Sequence, residues 1–150
     1  QRLEKMQEEA ELNAPVVANS PTGDAAGDLQ AAMRLADEDA RRGARALETV
    51  VVTWPDTPQA KEANSRLGDL HIANRDNASA VQAYAAALSG WPRTPWAPET
   101  TLKLAEALRA TDRATQACGA LTEFTRRYNE TATAQQKTRA TQLRTRAECS

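Results

Sequence analysis

Two groups of residues in this chain have types and spacing that could do chemistry: a pair of cysteines and a series of carboxylates. Cys118 lies early in one predicted helix, and Cys149 lies at the end of the following one. Because neighbouring helices in a bundle run antiparallel, the two sulfur atoms can approach each other, and a disulfide closing a loop of about 30 residues is expected. Two unpaired thiols, or a thiol pair that exchanges with other disulfides, are the alternatives.

The carboxylates recur at an interval of 37 residues, so that Glu99 follows Glu62 and Glu106 follows Asp69. On the first helix of two successive helix pairs, these side chains would form a ladder along a concave wall. Such a ladder can hold a basic or amide-rich peptide, and the alternative is an ordinary solvated helix face. The predicted partner-binding groove consists of Glu62, Ser65, Asp69, Ile72, Glu99, Leu102, Glu106 and Arg109.

Residues suited to catalysis or metal binding are few. His71 is the only histidine, and no cysteine or carboxylate stands at a spacing that would complete a metal site with it. Ser65 and Asp69 lie on the same predicted helix as His71, but side chains at these offsets do not converge into a catalytic triad. Nucleotide-binding loops, the HExxH motif and CxxC pairs are absent. We therefore expect no enzymatic activity, no bound metal and no cofactor.

The elements that must position these residues are predicted to be helices, which gives an all-α fold. Alanine, the best helix former, dominates the apolar residues, and aromatic residues make up only 4% of the chain. Residues 1–12 are expected to form a short acidic helix, the possible end of a coiled coil, residues 13–27 a flexible linker, and residues 28–150 a folded domain. Within that domain, helices are expected over 28–37, 39–54, 58–74, 77–90, 96–110 and 113–128, forming about three hairpins, and over 133–147, forming a polar capping helix.

The net charge argues against nucleic-acid binding, and the hydropathy argues against a membrane-spanning helix. The net charge of −1 lacks the basic excess of a nucleic-acid-binding domain. No stretch approaches the roughly 18 apolar residues that a membrane-spanning helix needs. The sequence therefore predicts a chain that neither binds nucleic acid nor crosses a membrane.

A short motif occurs twice, as "TWPDTPQA" at 53–60 and "GWPRTPWA" at 90–97, and the same 37-residue interval leads on to Tyr128. The aromatic residue is expected to end one helix and to fill the junction before the next. Thr57 and Thr94 are each expected to cap the following helix, with a proline at its first position, where a missing N–H costs nothing. Pro98 must then lie within the first turn of its helix.

The repeated pattern resembles the tetratricopeptide repeat (TPR), in which two helices carry small and apolar residues at fixed positions. Two further features narrow this resemblance to a single family. They are the acidic helix with the Ala/Pro-rich linker upstream, and the run "WAPETTLKLAEALRATDRATQACGALTEFTRRY". The chain resembles the C-terminal domain of the YbgF/CpoB family of Tol-Pal-associated periplasmic proteins. The positions that carry the TPR resemblance are Leu67, Gly68, Ala80, Tyr84, Ala87 and Pro92, followed by Leu104, Ala105, Leu108, Ala117, Leu121 and Phe124.

This resemblance implies a non-enzymatic periplasmic adaptor for cell division. Its partners would be TolA-like and cell-wall-synthesis proteins, and an upstream coiled coil would make it a homo-oligomer. A disulfide fits such an oxidising compartment. Two other functions stay open: a structural TPR subunit of a secretion, pilus or flagellar complex, and a thiol-disulfide protein that uses the two cysteines.

Overall fold

A computed structural model describes all 150 residues, and it contains eight helices and no strands. The predicted all-α class is therefore confirmed. The helices are α1 (Arg2–Asn13), α2 (Ala25–Glu38), α3 (Ala40–Thr53), α4 (Pro58–Ala73), α5 (Asn77–Ala87), α6 (Ala97–Ala110), α7 (Ala114–Tyr128) and α8 (Ala134–Arg146).

The observed helix ends lie close to the predicted ones. The largest differences are at α2, which begins at Ala25 rather than at residue 28, and at α5, which ends at Ala87 rather than at residue 90. None of the eight helices combines the length and the apolar character needed to cross a membrane. The chain divides into two compact units, Gln1–Arg66 and Leu67–Ser150, which are described separately below.

The N-terminal unit is built on the packing of α2 against α3. Asp24 and Asp39 cap these two helices, each accepting a hydrogen bond from a backbone N–H of the first turn. The two backbones come close at Gly43, where an added Cβ would lie 2.1 Å from the Cα of Ala36. Only glycine permits this approach. The buried apolar side chains of the two helices are Leu29, Ala32, Leu47 and Val50.

A buried carboxylate joins three parts of this unit. Asp28, which is 4% exposed, accepts hydrogen bonds from Ser20 Oγ at 2.6 Å and from Trp54 Nε1 at 2.9 Å. It also accepts bonds from the backbone N–H and the hydroxyl of Thr22, at 2.9 and 2.7 Å. Burial alone would raise the pKa of Asp28, but these hydrogen bonds outweigh it and hold the pKa well below its usual range. The charged carboxylate thereby fastens the segment before α2 to the end of α3.

The C-terminal unit is organised around α6, which packs against α5, α7 and α8. Its core contains five large side chains with almost no exposure: Tyr84, Leu102, Leu121, Phe124 and Tyr128. The hydroxyl of Tyr128 donates a hydrogen bond to the carbonyl of Pro92 at 2.9 Å. The end of α7 is therefore joined directly to the second Trp-Pro motif.

The two copies of the Trp-Pro motif begin their helices differently. Thr57 caps α4 as predicted, since its hydroxyl accepts a bond from the N–H of Ala60 at 3.1 Å. The same prediction for Thr94 is wrong, because α6 begins only at Ala97 and the buried Thr94 hydroxyl has no hydrogen-bond partner. A helix that began at Pro95 would place the ring of Pro98 against the Thr94 carbonyl. The later start keeps Pro98 in the first turn, as expected.

The aromatic residues of the motif also differ in position. Trp54 is the C-cap of α3 and Tyr128 is the last residue of α7, as predicted. Trp91 does not end a helix, because α5 has already stopped at Ala87. A left-handed turn intervenes, in which Gly90 has a φ of 76° and Trp91 a φ of 52°.

Two glycines on helices allow opposite predictions for the same substitution. A Cβ at Gly68 would lie 2.2 Å from the ring of the fully buried Tyr84, whereas a Cβ at Gly119 would meet nothing within 4 Å. Gly68→Ala is expected to lower the free energy of unfolding by about 2–3 kcal/mol through overpacking. Gly119→Ala, in the middle of α7, is expected to raise it by about 0.5–1 kcal/mol, because alanine restricts the unfolded chain.

Urea denaturation of both variants beside the parent chain measures these changes. Gly119→Ala is the control for the intrinsic effect of adding a methyl group to a helix. A Gly68→Ala chain as stable as Gly119→Ala would contradict the close contact with Tyr84.

Candidate binding cleft

A cleft of about 420 Å³ opens on the C-terminal unit. This volume is within the usual range for sites that bind a small molecule or a few side chains. Residues from α4, α5, α6 and α8 line it, so four helices fix its shape. They are Asp69, Ile72, Asn77, Tyr84, Lys103, Glu106, Ala107, Ala110 and Arg139.

Asp69 lies on the wall of this cleft together with its two hydrogen-bond partners, Tyr84 and Lys103. Its Oδ1 accepts a hydrogen bond from the Tyr84 hydroxyl at 2.7 Å and from Lys103 Nζ at 2.9 Å. Burial raises the pKa of Tyr84, and the bond to Asp69 raises it further, so the phenol remains a donor. Asp69 is therefore a structural acceptor that holds α5 and α6 against the end of α4.

Glu99 is paired in a similar way. Its Oε2 lies 2.6 Å from Arg139 Nη1, and its Oε1 accepts a hydrogen bond from Gln136 Nε2 at 3.3 Å. Burial acts to raise the pKa of Glu99, but the hydrogen bond and the charge of Arg139 outweigh it, so the pKa lies below its ordinary value. The pair ties α8 to α6 and brings the Arg139 guanidinium to the cleft.

Glu106 differs from these two carboxylates because it is exposed and forms no ion pair. It faces the cleft together with Ile72, an apolar side chain that is 39% exposed. Of the carboxylates predicted to form a ladder in this unit, two are neutralised by basic residues and one is free. The cleft therefore presents both signs of charge, which suits a mixed polar segment with an apolar side chain better than a purely basic one.

The other residues of the predicted groove have different surroundings. Leu102 was expected on the groove surface, and this is wrong: it is 0% exposed because it points into the core of the C-terminal unit. Arg109 is half-buried, and its Nε has no hydrogen-bond partner. Glu62 and Ser65 belong to the N-terminal unit, where Glu62 is half-buried and Ser65 is buried.

Sequence reasoning missed six of the nine residues that line the cleft, and four of these six have polar side chains. Lys103 carried a signal, since it lies one helical turn from Glu99 and would be expected on the same face of the helix. Arg139 carried none, because it comes from α8, which was expected only to close the core. Tyr84 and Asn77 reach the cleft from α5, which was assigned no part in the groove.

The two cysteines lie together at the other end of α8. Their sulfur atoms are 2.02 Å apart, at the distance of a disulfide bond. Cys118 and Cys149 are both partly buried against the core of the C-terminal unit. The pair links α7 to the residues that follow α8, as expected from the antiparallel arrangement.

His71 is half-buried, and no group of three or more histidine, cysteine or acidic side chains in the chain is arranged to hold a metal ion. A comparison of the sequence with protein-family models and with curated proteins gave no match.

Proposed function

We propose that this chain is a TPR-like adaptor whose cleft binds a segment of a partner protein, with no enzymatic activity of its own. The observation that carries this proposal is the cleft itself. Two ion pairs, Asp69–Lys103 and Glu99–Arg139, connect α4, α6 and α8 around the cleft. Glu106 and Ile72 also line the cleft and remain free to contact a partner. A site with fixed charges and a free apolar side chain is preorganised for a peptide, because little side-chain entropy is lost on binding.

Several local features support the TPR-like arrangement. Gly68 and Tyr84 occupy the small and large positions of the repeat pattern, and they lie in contact, with no room for a Cβ between them. The Tyr128–Pro92 hydrogen bond joins two residues separated by about one repeat. Three successive helix pairs followed by α8 would give the three hairpins and the capping helix of the sequence prediction.

The proposed compartment is the periplasm, and the proposed partners are proteins of the Tol-Pal and cell-wall-synthesis machinery. The compartment is supported by the cysteine pair, since disulfides persist in oxidising compartments. The partners are proposed from the resemblance to the YbgF/CpoB family. Within that proposal, the cleft would receive a segment of a TolA-like protein.

Calorimetric titration of the chain with the purified periplasmic part of TolA tests the proposal. We expect saturable binding, and we expect Glu106→Lys to weaken it about tenfold, because the substitution reverses the one unpaired charge in the cleft. Glu130→Lys is the matched control, since Glu130 is exposed beyond α7 and the change in net charge is the same. Equal loss in both variants, or no binding by the parent chain, would contradict the proposal.

Asp69→Lys is unsuitable as a probe of the cleft, although Asp69 belongs to the predicted groove. The substitution would place an ammonium group beside Lys103 and would remove the acceptor of the Tyr84 hydroxyl. It would therefore disturb folding as well as binding.

A further inference from the structure

Three arginines on one face of α3 hold the N-terminal helix. Arg41 makes a two-pronged contact with Glu9, at 2.5 and 2.8 Å, and Arg42 pairs with Glu8. A guanidinium that bonds both oxygens of a carboxylate defines an orientation as well as an attraction. Arg41 and Arg42 together therefore bind two adjacent acidic residues of a helix.

The third arginine binds the end of the same helix. Arg45 Nη1 donates to the carbonyl oxygens of Leu12 and Ala14, at 3.3 and 2.6 Å. These are unpaired carbonyls at the C-terminus of α1, where a positive charge is favourable. Together Arg41, Arg42 and Arg45 form a cationic face that matches an acidic helix from its middle to its C-terminus.

The contact is nevertheless shallow. No residue of α1 is buried, and all of its residues except the partly buried Leu12 are exposed. The arginine and glutamate side chains remain about half exposed, so their ion pairs are weakened by solvent and by salt. The helix is thus held mainly by charge, and it can leave without opening a core.

An apolar cleft of about 350 Å³ adjoins the cationic face. Ala31 and Leu35 of α2 and Ala46 and Val50 of α3 supply its apolar walls, and Leu12 is the one apolar side chain of α1 that lines it. Arg42 and Arg45 also line it, so positive charge and apolar surface are continuous. A ligand that paired with the arginines and also filled this cleft would bury more apolar surface than α1 does.

We propose that the arginine face of α3 and the adjoining cleft form a docking surface for an acidic amphipathic segment of a partner protein. Charge complementarity selects the occupant: a helix with two adjacent acidic residues and a leucine three positions later, which is the pattern of Glu8, Glu9 and Leu12. In this structure α1 occupies the cationic half of the surface. This inference concerns the N-terminal unit and does not rest on the proposed function of the other cleft.

The covalent link makes α1 a strong competitor despite its shallow contact. A segment joined by a short linker acts at an effective concentration in the millimolar range. A free acidic peptide therefore meets an occupied surface in the parent chain. Removing the two carboxylates that pair with Arg41 and Arg42 frees these arginines for a ligand without changing the arginines themselves.

The experiment uses the full chain and a fluorescein-labelled peptide of residues 2–15. Glu8→Gln/Glu9→Gln removes the two carboxylates of α1 that pair with Arg41 and Arg42, adds no positive charge and keeps a similar helix propensity. By fluorescence anisotropy, this variant is expected to bind the peptide about tenfold more tightly than the parent chain does, and the binding is expected to be lost at high salt.

Two controls separate a specific surface from general attraction. Adding Arg41→Gln/Arg42→Gln to the opened chain is expected to abolish binding, and a peptide with alanine at the position of Leu12 is expected to bind the opened chain more weakly. Equal binding to the parent and opened chains, or binding that survives the arginine substitutions, would overturn the proposal. A concentration-dependent dimer of the parent chain in sedimentation that is absent from the Glu8→Gln/Glu9→Gln chain would overturn it in favour of a second copy as the occupant.

Discussion

Replacing Asp28 with alanine is expected to lower the free energy of unfolding by about 4 kcal/mol, the largest effect we expect from a single side chain in the N-terminal unit. Hydrogen bonds to a charged group each contribute about 1.5–3 kcal/mol, and part of this is recovered when the exposed donors turn to water. Ser20, Thr22 and Trp54 would all lose their acceptor. Thermal and urea unfolding of the variant measure the change.

Asp37→Ala is the matched control, because Asp37 is an exposed acid on the same helix. We expect it to change stability by less than about 0.5 kcal/mol, as for most surface positions. If the two alanine variants were equally stable, Asp28 would not be the anchor of this unit.

The same carboxylate should make stability depend on pH. Its pKa in the folded chain is lower than in the unfolded chain, so it stabilises the fold fully above the ordinary aspartate pKa of about 4. The stabilisation is lost as the pH falls from there through the lower pKa of the folded state. In unfolding experiments between pH 5 and pH 2, Asp28→Asn should therefore lose less stability with acid than the parent chain does. Parallel curves for the two chains would contradict this.

Replacing both cysteines with serine is expected to lower the free energy of unfolding by about 3–4 kcal/mol. Cys118 and Cys149 are separated by 31 residues, and a cross-link of this span removes that much chain entropy from the unfolded state in the loop-closure model. The loss should be largest for α8, which is rich in polar residues and has only Ala140 and Leu143 buried. Hydrogen exchange of the variant should therefore show faster opening of α8 than of α6.

A reducing agent provides the control for this prediction. It should destabilise the parent chain to the level of the double serine variant and leave that variant unchanged. A parent chain that is equally stable with and without reductant would contradict a structural role for the pair. Rapid exchange with glutathione in the native state would instead favour the thiol-disulfide function considered from the sequence.

The helices were predictable because their signals are local. Alanine-rich segments with regular apolar spacing identified each helix, and Thr57 followed by Pro58 marked the start of α4. The identical pair Thr94–Pro95 failed, because a proline four residues after Thr94 moved the start of α6. A cap can be recognised from three or four residues, but the position of the helix depends on what the next turn can accommodate.

The candidate site was less predictable, because the state of a carboxylate depends on residues far along the chain. Asp69 and Glu106 have the same charge and the same repeat position, yet Lys103 and Tyr84 reach only Asp69. Leu102 occupies a helix position that looked accessible, but the core of the C-terminal unit covers it. Asp28 gave no sign of its role, because its indole partner is 26 residues away.

The hydrogen bond between Trp54 and Asp28 gives the N-terminal unit an optical signal of its own. The emission of an indole responds to a charge at its N–H, so the fluorescence of Trp54 reports whether the carboxylate is in place. The other two tryptophans, Trp91 and Trp96, pack against the core of the C-terminal unit. A chain with phenylalanine at both of those positions would keep tryptophan only in the N-terminal unit, so its tryptophan fluorescence would record the unfolding of that unit alone.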